Sequence, residues 1–156
     1  MGRLTALLRD HERMGLDTSI FIYHLERHPR YFPLTQALLS GVEAGTWTAV
    51  ASTVALMELT VRPWQLERPD VARAYEDALT EFPHLTLADV TRDVARQAAQ
   101  LRGQYNLRPA DALHVATALV HDATVFVTND QDFARLDILD VVLLHDYVAS
   151  HDSALD

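Results

Sequence analysis

Four acids, Asp17, Glu58, Asp111 and Asp130, stand where they could do chemistry together. Asp17 ends a short apolar segment, and Glu58 lies in the helix after the second strand candidate. Asp111 opens the apolar helix before the fourth strand candidate, and Asp130 follows that strand directly. In open α/β sheets, ligand sites form outside the carboxyl ends of the strands. If the first and fourth strands are neighbours at the sheet centre, all four side chains meet at one edge. Carboxylates sharing a pocket repel one another and raise their pKa values. A hard divalent cation resolves that conflict: Mg²⁺ or Mn²⁺ prefers oxygen ligands, and Mg²⁺ keeps several waters. Such a site suits phosphodiester hydrolysis. The metal lowers the pKa of a bound water and neutralises charge in the transition state, and a second ion about 3.5–4 Å away stabilises the leaving oxygen.

On this reading Asp17, Asp111 and Asp130 coordinate the metal. Glu58 binds a second ion or orients the nucleophilic water. Ser19 and Thr128 hydrogen-bond the carboxylates or a phosphate oxygen, and Asp132 is a fifth acid within reach. Each has a plainer role to weigh. Asp17, Asp130 and Asp132 are ordinary turn formers, Asp111 complements a helix dipole, and Glu58 is a solvated helix residue. Arg62, Arg68 and Arg108 are candidates for phosphate contacts, and Trp64 for stacking on an unpaired base, although packing is the plainer reading of both tryptophans. His114 lies one turn from Asp111 and could face the site. No histidine pair has the H-E-x-x-H arrangement, so a helix-surface or packed histidine is expected there.

The elements that must position these residues alternate. A central strand is expected up to Leu16, then a helix capped by Thr18 or Ser19. Leu34, Ala37, Leu38, Gly41 and Val42 have helical spacing. A strand follows at 47–51, then a helix capped by Ser52 or Thr53 and limited by Pro63. Pro69 starts a helix to about Thr80, with Val71, Ala74, Tyr75 and Ala78 on its apolar face. Residues 85–87 form an edge strand, and Thr91 caps a long helix with Val94, Ala98 and Leu101 inward and Arg92, Arg96 and Arg102 outward. Pro109 fits the first position of the Asp111 helix, with Leu113, Ala116 and Leu119 or Val120 facing a core. Thr124 to Thr128 is the clearest strand, and 141–144 is the last. The expected fold is α/β, a mostly parallel sheet with helices on both faces. A single domain over 1–156 is expected, with an N-terminal extension at 1–12 and a fraying polar tail at 145–156.

The 156 residues suffice for one domain with a real core. The chain has no cysteine, which excludes a thiol nucleophile and thiolate zinc sites. No apolar run approaches the ~20 residues of a membrane span, and the N-terminal stretch lacks a continuous apolar h-region. A cytoplasmic location is therefore expected. The net charge of −9 argues against non-specific coating of a long duplex. All 13 basic residues are arginine. The lack of lysine removes a phospho-acceptor receiver domain and a P-loop hydrolase, both of which need one.

Leu16-Asp17-Thr18-Ser19, Met57-Glu58-Leu59, Ala110-Asp111-Ala112 with Ala116-Thr117-Ala118, and Val127-Thr128-Asn129-Asp130 with Asp132-Phe133 resemble the ordered motifs of PIN domains. They are most similar to those of the VapC-type ribonuclease toxins of prokaryotic toxin–antitoxin pairs. The resemblance runs from about Met14 to Leu144. It implies a parallel sheet in the order 3-2-1-4-5, Mg²⁺- or Mn²⁺-dependent RNA cleavage, and frequent homodimers. It also implies a small antitoxin whose tail enters the acidic groove, where an antitoxin arginine can replace the metal's charge. Ser19 departs from the asparagine these proteins often carry, and the N-terminal segment is untypical. The alternatives are a catalytically idle PIN-like binding scaffold and a DNA nuclease of related fold.

Overall fold

Short runs of small and β-branched residues make the strands, and their alternation divides the core in two. The computed structural model describes residues 2–148. Its strands are β1 (Arg13–Leu16), β2 (Thr48–Ser52), β3 (Leu85–Ala88), β4 (Val125–Thr128) and β5 (Asp140–Leu143). They form one five-stranded sheet in the order β3-β2-β1-β4-β5, with every neighbouring pair parallel. This is the order expected from the resemblance. Met14, Leu16, Ala49, Ala51, Val125 and Val127 point to one face, and Val50 and Phe126 to the other. The two-residue period of a strand produces that division.

The first face is covered by helices α1 (Gly2–Leu8), α2 (Thr18–Leu25) and α3 (Phe32–Glu43), joined by Leu59 of α4 (Thr53–Gln65) and Leu79 of α5 (Pro69–Glu81). The second is covered by α6 (Arg92–Tyr105) and α7 (Pro109–Val120). The N-terminal segment is thus part of the packing, since Leu4 and Leu8 of α1 are buried in the first core. The expected polar tail is described only to Val148, within and just after a 3₁₀ turn at Leu144–Tyr147; its remainder lies outside the described residues.

Three expectations change. In α7 the buried residues are Asp111, Ala112, His114, Val115, Ala116, Thr117 and Ala118, while Leu113 and Leu119 are half-buried and Val120 is exposed. The helix is enclosed by the sheet on one side and by α6 and α4 on others, so one apolar stripe does not describe it. In α5 the inward residues are Ala72 and Leu79, whereas Ala74 and Ala78 are exposed. Pro63 lies inside α4, which continues to Gln65.

Close approach of elements depends on two glycines. A Cβ on Gly15 of β1 would lie 2.5 Å from the Cβ of Ala118, so α7 can sit on the central strand only because that strand is bare there. A Cβ on Gly41 would fall within the Trp47 indole. That ring is buried and fixed by its Nε1–H, which donates to the Leu38 carbonyl at 3.0 Å. Gly41→Ala is therefore expected to cost about 1–3 kcal/mol as an overpacked site. A denaturant midpoint equal to that of the unmodified protein would contradict this.

Candidate active site

The sheet brings Asp17 and Thr128 side by side. Leu16 of β1 is paired with Val127 of β4, so the next residue of each strand emerges at the same edge. Thr128 Oγ1 donates to Asp17 Oδ2 at 2.7 Å. The same hydroxyl accepts from the Asp130 N–H at 3.1 Å. Asp130 then caps the 3₁₀ turn Gln131–Phe133, its Oδ1 accepting from the Asp132 N–H at 2.9 Å. One buried threonine thereby ties together two of the four acids.

Asp17 itself is the N-cap of α2, correcting the expectation that Thr18 or Ser19 fills that place. Its Oδ1 accepts from the Thr18 N–H at 2.8 Å. Ser19 Oγ reaches Asp17 Oδ2 at 3.5 Å. The Thr18 hydroxyl is left to reach across to α4, where it donates to Glu58 Oε1 at 2.8 Å. His114 of α7 meets the same oxygen through Nε2 at 2.6 Å and lies 3.8 Å from Asp17 Oδ1. Asp111 lies buried in the first turn of α7. Arg108, the residue before Pro109, bends back over it: Nε donates to Asp111 Oδ2 at 2.9 Å and Nη2 to Asp130 Oδ2 at 3.3 Å.

An open groove of about 580 Å³ lies at the carboxyl edge of the sheet. Asp17, Glu58, Asp111 and Asp130 border it together with Ser19 and Arg108. Asp132 is exposed beside the groove rather than lining it, and its charge acts on Arg108. Arg62 and Arg68 border an adjoining apolar groove, where Arg68 is paired with Asp70 through two contacts at 3.1 and 3.0 Å. Trp64 is 60% exposed on another face of α4, beside Thr60 and Arg73, so packing does not account for it. Trp47 is buried, as expected.

Glu58 and Asp17 are shifted in opposite directions. The His114 contact, assisted by Thr18, holds Glu58 below the usual carboxylate value against the effect of burial. Asp17 is pushed up, chiefly by burial, and His114, Thr128 and the Thr18 N–H offset this only in part. For Asp17 the folded state therefore binds a proton more readily than the unfolded chain. Its contribution to stability falls as pH rises through the folded-state pKa. For Glu58 the sign is opposite, and its contribution is lost as pH falls through its lowered pKa. In EDTA, Asp17→Asn should melt above the unmodified protein at pH 7, each kcal/mol moving Tm by roughly 2–4 °C. The gap should close on acidification through the Asp17 pKa. Equal melting at neutral pH would contradict this account.

The donor set fits a hard cation. It is all oxygen, and the most buried carboxylate, Asp17, has hydroxyl and amide donors within hydrogen-bond reach but no arginine. Arg108 already places one positive charge against both Asp111 and Asp130. Among the described residues, no three His, Asp or Glu side chains are set closely enough to hold a metal as they stand. Sequence reasoning missed this arrangement of Arg108, although its spacing of three residues before Asp111 is that of helical neighbours.

The chain is an α/β protein with a parallel 3-2-1-4-5 sheet and an acid-lined groove at the sheet's carboxyl edge. The PIN domain family model matches residues 14–139, and the chain belongs to that family. No curated protein matches the sequence. Among solved structures, a toxin–antitoxin complex from Klebsiella pneumoniae aligns with a TM-score of 0.62 at 21% identity, covering 85% of this chain and 97% of the other. VapBC2 from Rickettsia felis, bound to a DNA fragment from its promoter, aligns with a TM-score of 0.63 at 20% identity, covering 84% and 98%. DNA-bound VapBC from Salmonella typhimurium gives 0.64 at 19% identity, covering 85% and 98%. At these identities the likeness is one of fold.

Proposed function

We propose that the protein is a divalent-metal-dependent endoribonuclease and the toxin of a toxin–antitoxin pair. PIN domains are typically nucleases. The observation that carries the reading is the groove itself, in which Asp17, Asp111, Asp130 and Glu58 converge on one sheet edge. Asp17, Asp111 and Asp130 hold Mg²⁺ or Mn²⁺. The bound ion supplies activation of water and neutralisation of phosphoryl charge. Glu58 supplies a further ligand or orients the attacking water. Thr128 and Ser19 fix Asp17. Arg108, exposed and adjacent, moves from the carboxylates to a phosphate oxygen of the substrate, a task suited to a guanidinium. Arg62, Arg68 and Trp64 contact RNA beyond the groove. RNA is favoured over duplex DNA by the −9 charge.

Support for an antitoxin partner comes from the toxin–antitoxin complexes among the structural neighbours. It comes also from an apolar groove of about 360 Å³ that shares Ile22 and Glu58 with the acidic one. Leu25 and Leu66 are exposed at that groove and suit the apolar face of a helix. We further read the chain as one domain, a homodimer, acting in the cytoplasm. No helix among the described residues is long and apolar enough to cross a membrane.

The test is incubation of the purified protein with total and transfer RNA in Mg²⁺, Mn²⁺ or EDTA. Defined fragments that require metal are expected. Inactivity with every RNA, together with no divalent-ion binding by calorimetry, would overturn the nuclease reading. It would select a second one, a binding scaffold, which the closed Arg108 bridge between Asp111 and Asp130 favours.

A further inference from the structure

We infer that His114 is a positioning residue that, with Thr18, holds one oxygen of Glu58 and leaves the other for the cation of the acidic groove. The inference rests on the metal-dependent reading above. The His114 side chain is only 1% exposed, on a helix whose other inward residues are mostly apolar. A polar ring is costly to bury without partners, and Nδ1 has none among the described residues. What the ring does have is Glu58 Oε1 at 2.6 Å and Thr18 Oγ1 at 3.2 Å, both at Nε2.

The tautomer follows from those partners. A bare lone pair on Nε2 would face a carboxylate oxygen, so Nε2 carries the proton and donates it to Glu58. The Thr18 hydroxyl donates to the same Oε1. Both donors thus converge on one oxygen, and no hydrogen bond of the described residues engages Oε2. Glu58 borders the acidic groove with its side chain 38% exposed. Without this grip it would be an ordinary exposed helix glutamate with several rotamers. The grip also joins three elements: α4 gives the carboxylate, α7 the ring, and the first turn of α2 the hydroxyl beside Asp17. Residues that orient a ligand in this way typically change metal affinity or activity by about 10–100-fold when removed.

The experiment is calorimetric titration of Mn²⁺ into the full chain and its His114→Leu and His114→Gln variants, alone and with Glu58→Ala. Melting curves serve as the control for folding. His114→Leu is expected to weaken Mn²⁺ binding about tenfold or more. His114→Gln, whose amide N–H can reach toward Glu58, should recover most of that loss. In the Glu58→Ala background the His114 substitutions should change nothing further, which a merely structural histidine would not obey. If His114→Leu does not fold, His114→Gln in the two backgrounds carries the same comparison. Its smaller loss must disappear with Glu58→Ala. Equal Mn²⁺ affinity in all folded variants overturns this inference alone. A loss that persists undiminished without Glu58 does the same. Absence of Mn²⁺ binding by the unmodified protein overturns it together with the metal-dependent reading.

Discussion

Replacing Asp111 with asparagine is expected to abolish RNA cleavage and leave the fold intact. The two side chains have nearly the same volume. The contact that holds the carboxylate is with Arg108, whose side chain is 70% exposed and can find water instead. No buried partner is stranded, and α7 keeps its N-terminal proline. What disappears is one negative charge from the proposed ligand set. A metal that stabilises transition-state charge by several kcal/mol is lost or misplaced, which corresponds to roughly a thousandfold or more in rate. The check is cleavage in Mg²⁺ or Mn²⁺ beside the melting curve of the same preparation. Asp111→Asn with more than about a tenth of the original rate would exclude Asp111 from the catalytic machinery, since a loss below tenfold is under about 1.4 kcal/mol.

The largest effect on stability is expected from Phe133→Ala. Phe133 is fully buried and packs on Phe126 of the central sheet, ring centroids 5.1 Å apart and planes at 52°. It closes the 3₁₀ turn that Asp130 caps. Removal should cost about 3–5 kcal/mol, as for other buried phenylalanines. At roughly 2–4 °C per kcal/mol, Tm should fall by about 6–20 °C. Because the same turn sets the direction of Asp130, activity measured well below the new Tm should fall as well. A small change in Tm would mean that the second core does not depend on this ring.

The strands were legible as short apolar, β-branched runs bounded by turn residues, Val125–Thr128 most clearly of all. Which core each strand residue joins, Val125 and Val127 on one face and Phe126 on the other, was not legible, because strands buried on both sides read as continuous apolar runs. Helix faces were legible only where one side is solvated. In α6 the inward Val94, Ala98 and Leu101 were evident, because arginines mark the opposite side. In α7 burial on nearly all sides erased the period, and leucines that looked like core anchors proved less buried than the alanines. Spacing placed the four acids near one another but said nothing of how their charges are balanced. That balance depends on Arg108, Thr18 and His114, whose contacts cross between elements. His114 was expected to be packed or on a surface. It is packed, but the ring's one polar contact surface is turned toward Glu58 and Asp17.

The central claim is that Asp17, Asp111 and Asp130 together bind a divalent cation. The most direct measurement is anomalous diffraction from crystals grown with Mn²⁺. The account predicts a Mn²⁺ peak within ligand distance of those three carboxylates, with the Arg108 guanidinium withdrawn from Asp111 and Asp130. Full occupancy elsewhere, or no peak while Arg108 still bridges the two acids, would contradict it.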